Sequence, residues 1–188
     1  MANLSALVYH ELLSTPLRKD KPVNWVGFYY LPKKTIQDAS IDPKDYSLVL
    51  GPFQGKVACT VIKFGRGVCG SVAVSHEPAL VYNVHDFKGH IACDSSSLSE
   101  LVIPIILNGQ LVGVFDLDCS VIGGFDNEDL VGIQNLDEAT KSRVGIGSLN
   151  YYDGSLNDQV LKIRKHEING YPVDVGMVIV VEERKRRE

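Results

Sequence analysis

The chain has no apolar run long enough to span a bilayer. Its N-terminus lacks the basic, then apolar, then small-residue order of a secretory leader. No membrane partner is expected, and the expected compartment is the cytoplasm. Surplus positive charge is also missing. With 19 Lys and Arg against 23 Asp and Glu, the net charge is −4, so a nucleic-acid partner has no electrostatic footprint. The one basic cluster, Arg184-Lys185-Arg186-Arg187, is flanked by Glu182, Glu183 and Glu188 and reads as a solvated tail. There is no C-x-x-C pair and no G-x-S-x-G, which removes the standard zinc spacings and the hydrolase nucleophile turn. No internal repeat or low-complexity segment is present.

What is there suits one soluble globular domain with a real core: 188 residues, 45% apolar and 22% charged. Three of the four cysteines fall between Leu48 and Asp94, each beside a turn signal. Cys59 closes Gly-Lys-Val-Ala-Cys, Cys69 lies within Gly65-Arg66-Gly67-Val68-Cys69-Gly70, and Cys93 ends Gly89-His90-Ile91-Ala92-Cys93. Burial is the commoner fate of a cysteine, but grouped cysteines in a reducing compartment tend to be catalytic, redox or metal-binding.

Along the chain, Leu4, Leu7, Val8, Leu12 and Leu13 predict a helix over Ala2 to Leu13, with Asn3 as its cap. The aromatic and β-branched run Asn24 to Leu31 predicts a strand. Pro32 to Asp45 reads as a surface loop, and Tyr46 to Leu50 as a strand broken by Gly51-Pro52. Cys59 to Phe64 reads as a strand, followed by a short helix that Gly67 or Gly70 opens, over roughly Ser71 to Ser75, and that Pro78 ends. Ala79 to Val84 is expected to be extended, and His85 to Ser99 a polar loop. Leu101 to Leu107 and Leu111 to Asp118 flank Asn108-Gly109, a strong hairpin signal. Alternation on the second strand places Val114, Asp116 and Asp118 on one face, Phe115 and Leu117 on the other. Two carboxylates so placed call for a proton or a cation between them, unless both face water. Asp126 with an acid three residues on predicts a last helix carrying Leu130, Ile133 and Leu136. Beyond Ala139, Asn150 to Gly154 reads as a turn and Val173 to Glu182 as a strand.

The G-x-G-x-x-G over Gly65 to Gly70 is no dinucleotide site. Only a short stretch separates it from Pro78, too little for a parallel crossover. His85, His90 and Cys93 with Cys59 or Cys69 match no standard zinc spacing. A redox thiol fits better. Cys69, at a helix start, is expected to have its pKa lowered by the unpaired amides there. Cys93, in a histidine-flanked loop, could be attacked or swing towards another sulfur. Cys119 reads as packed.

The segments NWVGFYYL, LVLGPFQGKVAC, FGRGVCGSVA, VHDFKGHIACD, SELVIPI and GVFDLDC, in this order, resemble the free methionine-R-sulfoxide reductase family of single GAF-type domains. The resemblance runs from about Asn3 to Leu136. It implies an α+β fold with a central antiparallel sheet and flanking helices. The GAF-type catalytic domain would occupy 1–138 with a shortened N-terminal helix, and 139–188 would be an extension unlike the family. The implied reaction is reduction of free methionine-R-sulfoxide, with thioredoxin as reductant, a homodimer as a further association, and neither cofactor nor metal.

Carried over by position, Cys59, Cys69 and Cys93 are the family's three cysteines, with Cys93 favoured as the attacking sulfur and Cys69 the runner-up. Glu100, Asp116 and Asp118 would face the substrate, Glu100 also as the acid, and Trp25 and Tyr29 would box the S-methyl group. Leu98 replaces a usual basic residue. In this chemistry a thiolate attacks the sulfoxide sulfur while a neutral carboxylic acid protonates the leaving oxygen. The sulfenic acid then condenses with a second cysteine, and a dithiol carrier reopens the disulfide. The competing reading is a non-catalytic GAF-type sensor of a small ligand such as a cyclic nucleotide. Such a sensor has no use for three cysteines or for paired acids facing a phosphate. A degenerate, structural member of the family is a third reading.

Overall fold

In the computed structural model, residues 1–38, 40–91, 93–143, 160–162 and 180–182 are described. Asn108 and Gly109 both take positive φ, 51° and 77°, the two-residue turn whose twist matches that of paired strands. They join β5 (Ser99–Leu107) to β6 (Gln110–Cys119) as an antiparallel hairpin. The strand β1 (Val23–Tyr30) pairs antiparallel on the other edge of β6. Outside these lie β2 (Ser47–Gly55), β3 (Val61–Lys63) and β4 (Ala79–Val81), giving the order β3-β2-β1-β6-β5-β4 with every pair antiparallel.

The period-2 alternation of β1, β5 and β6 gives the sheet two apolar faces. Val26, Phe28, Leu101, Ile103, Phe115 and Leu117 meet α1 (Ala2–Ser14) through Val8 and α4 (Asn127–Arg143) through Ile133. Trp25, Tyr29, Val102 and Val114 meet α3 (Gly67–Ser75) through Val68, Cys69, Val72 and Ala73. The fold is therefore α+β, an antiparallel sheet with helices on both faces, as the resemblance implies. Residues Met1–Asp137 form one compact unit and Glu138–Glu188 a second. In the second, β7 (Val160–Lys162) pairs antiparallel with β8 (Val180–Glu182).

Several local expectations are corrected. Gly51-Pro52 does not break its strand: β2 runs through to Gly55, and the register with β1 shifts by one residue between Gly27 and Tyr29. A bulge tolerates proline because it leaves a backbone group unpaired anyway. Pro32 to Asp45 is not wholly loop; it holds the short helix α2 (Lys33–Gln37) and a single 3-10 turn at Pro43–Asp45. The cap of α1 is Met1, not Asn3, and no side chain caps it. The helix α3 starts at Gly67, one of the two glycines expected to open it, but ends on His76 in the left-handed conformation before Pro78 is reached. Extended structure after Pro78 stops at Val81, and Val84–Asp86 is a 3-10 turn. The Asp126 cap is found as expected. Its Oδ1 accepts from the Glu128 and Asp129 amides, and Asp129 Oδ2 accepts from the Asp126 amide. The expected turn at Asn150 to Gly154 lies outside the described residues, as does the Val173 strand before Val180.

Candidate active site

On the α3 face, at the end of the sheet where β1, β5 and β6 run side by side, lies a cavity of about 540 Å³ counting the solvent at its mouth. Strand register builds its floor. Asp118 pairs with Glu100 on one side and Trp25 on the other, and Asp116 pairs with Val102 and Gly27. Three carboxylates and an indole are thus neighbours on one face, although Trp25 and Glu100 are far apart in the chain. The expected face for Asp116 and Asp118 is the one observed, and it points into the cavity rather than to water.

Trp25 is held flat. Its ring stacks on Phe53 at 5.3 Å between centroids and on Tyr29 at 5.7 Å. This needs glycine at position 27, because a Cβ there would overlap the Phe53 Cβ and the Trp25 indole. The Tyr29 hydroxyl donates to the Cys59 carbonyl at 3.0 Å. An aromatic wall therefore also fixes the loop that carries a cysteine. Phe53 was not singled out from the sequence; the irregular strand around Gly51-Pro52 hid its alternation.

Cys59 and Cys93 form a disulfide, with 5.4 Å between Cα atoms; Cys93 lines the cavity, and Cys59 packs against the core cluster beside it. Cys93 is exposed at the mouth. Their sulfurs are bonded to each other, so they are not thiolate ligands for a metal with His85 and His90. Cys69 stays free and buried at the third position of α3, its thiol 3.9 Å from Glu100 Oε1. The expectation of a lowered Cys69 pKa is reversed. Burial pushes this thiol well up, and Asp116 and Glu100 push in the same direction. Loss of water and two facing acids outweigh the helix terminus. Cys69, Glu100 and Asp116 offer ligand atoms within 4.8 Å of one another, but the conditions that raise all three pKa values favour protons on them.

Each acid of the floor is held above its ordinary range. Burial lifts Glu100 well up, with Asp116 and Asp118 adding repulsion. Burial takes Asp116 to about 7, against hydrogen bonds from Cys69 and Glu100 that pull it down. Asp118 is raised by burial and then by Asp116, with the Ser97 hydroxyl opposing. Desolvation leads in all three, and mutual repulsion adds to it at Glu100 and Asp118. The floor can therefore carry protons near neutrality, a store of acid for a leaving oxygen.

Polar residues around the floor support it. Asn24 is the extra residue of a bulge between Val23 and Trp25. Its amide donates to Ser97 Oγ at 2.9 Å and Asp94 Oδ2 at 3.3 Å, tying β1 to the loop of Cys93. Nothing but the serine run hinted at this. His90, weighed from the sequence only as a zinc ligand, places Nδ1 3.8 Å from Glu100 Oε2. Burial, then the nearby His85, lowers its pKa, so it rests neutral.

Residues 8–136 match the GAF domain family. The chain is 43% identical over 136 residues to the free methionine-R-sulfoxide reductase of Escherichia coli K12, covering 72% of this chain and 70% of that one. It is 42% identical over 137 residues to the Saccharomyces cerevisiae protein of the same name, covering 72% and 69%. Among solved structures, the free methionine-R-sulfoxide reductase of Neisseria meningitidis in complex with its substrate superposes with a TM-score of 0.60 at 36% identity, covering 73% of this chain and 71% of that one.

Proposed function

The chain belongs to the GAF domain family and, within it, to the free methionine-R-sulfoxide reductases, and we propose that it reduces free methionine-R-sulfoxide with Cys93 as the attacking sulfur, Cys59 as its disulfide partner and thioredoxin as reductant. The observation that carries this reading is the Cys59–Cys93 disulfide at the mouth of a cavity floored by protonatable acids. A thiolate of Cys93 attacks the sulfoxide sulfur from the mouth. Glu100, neutral through burial, gives a proton to the departing oxygen. The protonated oxygen passes to the Cys93 sulfur as methionine leaves, Cys93 is left as a sulfenic acid, and the Cys59 thiol condenses with it, releasing water. A dithiol then exchanges with the exposed sulfur of Cys93.

The remaining groups define the substrate. Trp25 and Tyr29 offer an apolar wall for the S-methyl group, and Asp118 receives the ammonium. A methionine within a protein has no free ammonium, so the site selects the free amino acid. Cys69 stays protonated and is not the nucleophile. A disulfide reopened in each cycle suits a reducing compartment, and the cytoplasm is where we place the reaction. The sensor alternative is disfavoured by the Cys59–Cys93 pair, because a non-catalytic sensor has no use for a redox disulfide beside its pocket. The test is NADPH consumption coupled through thioredoxin reductase and thioredoxin. Turnover of the R epimer of free methionine sulfoxide but not the S epimer is expected; equal or absent turnover of the two rejects the reading.

A further inference from the structure

In this chemistry Glu100 loses a proton in every cycle, yet only 8% of its side chain is exposed. Water cannot readily restore what it gives. Among the described residues, one basic side chain comes within 4.0 Å of it: His90, with Nδ1 3.8 Å from Glu100 Oε2. That Nδ1 is buried without a hydrogen-bond partner, a costly state for a polar atom unless it has a use. The imidazole is 14% exposed, more open than Glu100, and it borders the same cavity as Cys93. It therefore stands between solvent and the buried acid.

We propose that His90 is the proton relay of this site, taking a proton from solvent and passing it to Glu100 Oε2 after Glu100 has protonated the leaving oxygen. The relay rests on the reductase reading. Protons balance: the oxygen leaves as water with two, and the thiols of Cys93 and Cys59 lose two to solvent. Glu100 supplies one of those on the oxygen and His90 returns it; the other comes from solvent when Cys59 condenses with the sulfenic acid. The groups around the imidazole suit the task. Burial and His85 in its own loop favour the neutral ring, while Glu100 draws a proton inward once it is ionised. Cys69 and Arg66 of the α3 start border the same cavity. A sub-ångström side-chain shift would bring Nδ1 and Oε2 within hydrogen-bond reach, as catalytic pairs commonly tighten on binding substrate.

The test compares the full-length wild type with His90→Gln and His90→Ala, recycled by dithiothreitol, measuring methionine formed per enzyme in the first turnover and in steady state. In His90→Gln the first turnover of reduced enzyme keeps the wild-type rate, because Glu100 starts protonated. Later turnovers slow roughly hundredfold, the scale of a lost proton-transfer group, and KM falls with kcat, because the slowed step follows the chemistry and kcat/KM is untouched. Added imidazole restores His90→Ala in proportion to its concentration. Wild-type steady-state kcat in His90→Gln overturns the relay. So does a first turnover slowed as much as the later ones with no imidazole rescue of His90→Ala, which makes His90 merely structural. A wild-type chain that forms no methionine overturns the reductase reading and the relay with it, and the wild-type arm alone identifies that case.

Discussion

The two free sulfurs and the two bonded ones differ in surroundings more than in sequence context. Cys69 and Cys119 are buried, and burial raises both thiols. Cys93 is exposed and within bonding distance of Cys59. Cys93→Ser is therefore expected to abolish methionine formation even with dithiothreitol. Cys59→Ser should keep dithiothreitol-driven turnover and lose thioredoxin-driven turnover, because only recycling needs the second sulfur. A full first turnover in Cys93→Ser, seen by chromatography of the product, would move the nucleophile elsewhere. Asp118 carries the second prediction at this scale. Burial holds its carboxyl well above the ordinary range, and an arriving ammonium makes its ionised form favourable. Asp118→Asn replaces a charged hydrogen bond by a neutral one, a loss of about 1.5–3 kcal/mol, so KM should rise roughly ten- to a hundredfold. An N-acetylated substrate should bind worse to the wild type but lose little more in Asp118→Asn. Additive losses in that double comparison would show that Asp118 does not hold the ammonium.

Among the elements, β1 does the most positioning. One strand supplies Trp25 and Tyr29 to the cavity, Val26 and Phe28 to the opposite core, and through its Asn24 bulge a tether to the loop of Cys93. Gly27 is what lets this strand carry an indole lying along it, since any side chain there collides with Phe53 and Trp25. Gly27→Ala should lower stability by about 1–3 kcal/mol, the usual cost of overpacking. It should also raise KM, because the displaced indole no longer walls the S-methyl site. Urea melts and steady-state kinetics on the same preparation read both effects. A stable variant with a normal KM would mean that Trp25 is not held in this way.

At the scale of the whole molecule, burying three carboxyl groups in one floor links folding to pH. Asp116 rises from its ordinary 3.8 to about 7, and Glu100 and Asp118 move the same way. The folded chain thus holds protons that the unfolded chain releases. The contribution of such a group is fully present below its unfolded pKa and is lost as pH rises through its folded pKa. Across the window from 3.8 to about 7 set by Asp116, these groups make the domain less stable as pH rises. Urea midpoints measured on either side of neutrality should fall towards the alkaline side, and Asp116→Asn should flatten that slope. An unchanged slope in the variant would place the proton uptake elsewhere.

Much of this was legible in the residues themselves, because local rules govern it. The Asn108-Gly109 turn, the alternation that turns Asp116 and Asp118 to one face and the Asp126 cap depend on neighbours a few positions away. The ordered segments around the three cysteines carried the family resemblance. What only the tertiary structure decided was environment. A helix start predicts a lowered pKa for Cys69, but its position beside Glu100 and Asp116, out of water, raises it. The break read at Gly51-Pro52 became a bulge because β1 pairs on through Gly55. His90 stood in the sequence as a zinc candidate, and its nearness to Glu100 depends on how the loop before β5 folds back over that strand. Desolvation and long-range pairing belong to the folded ensemble of residues, so no local pattern encodes them directly.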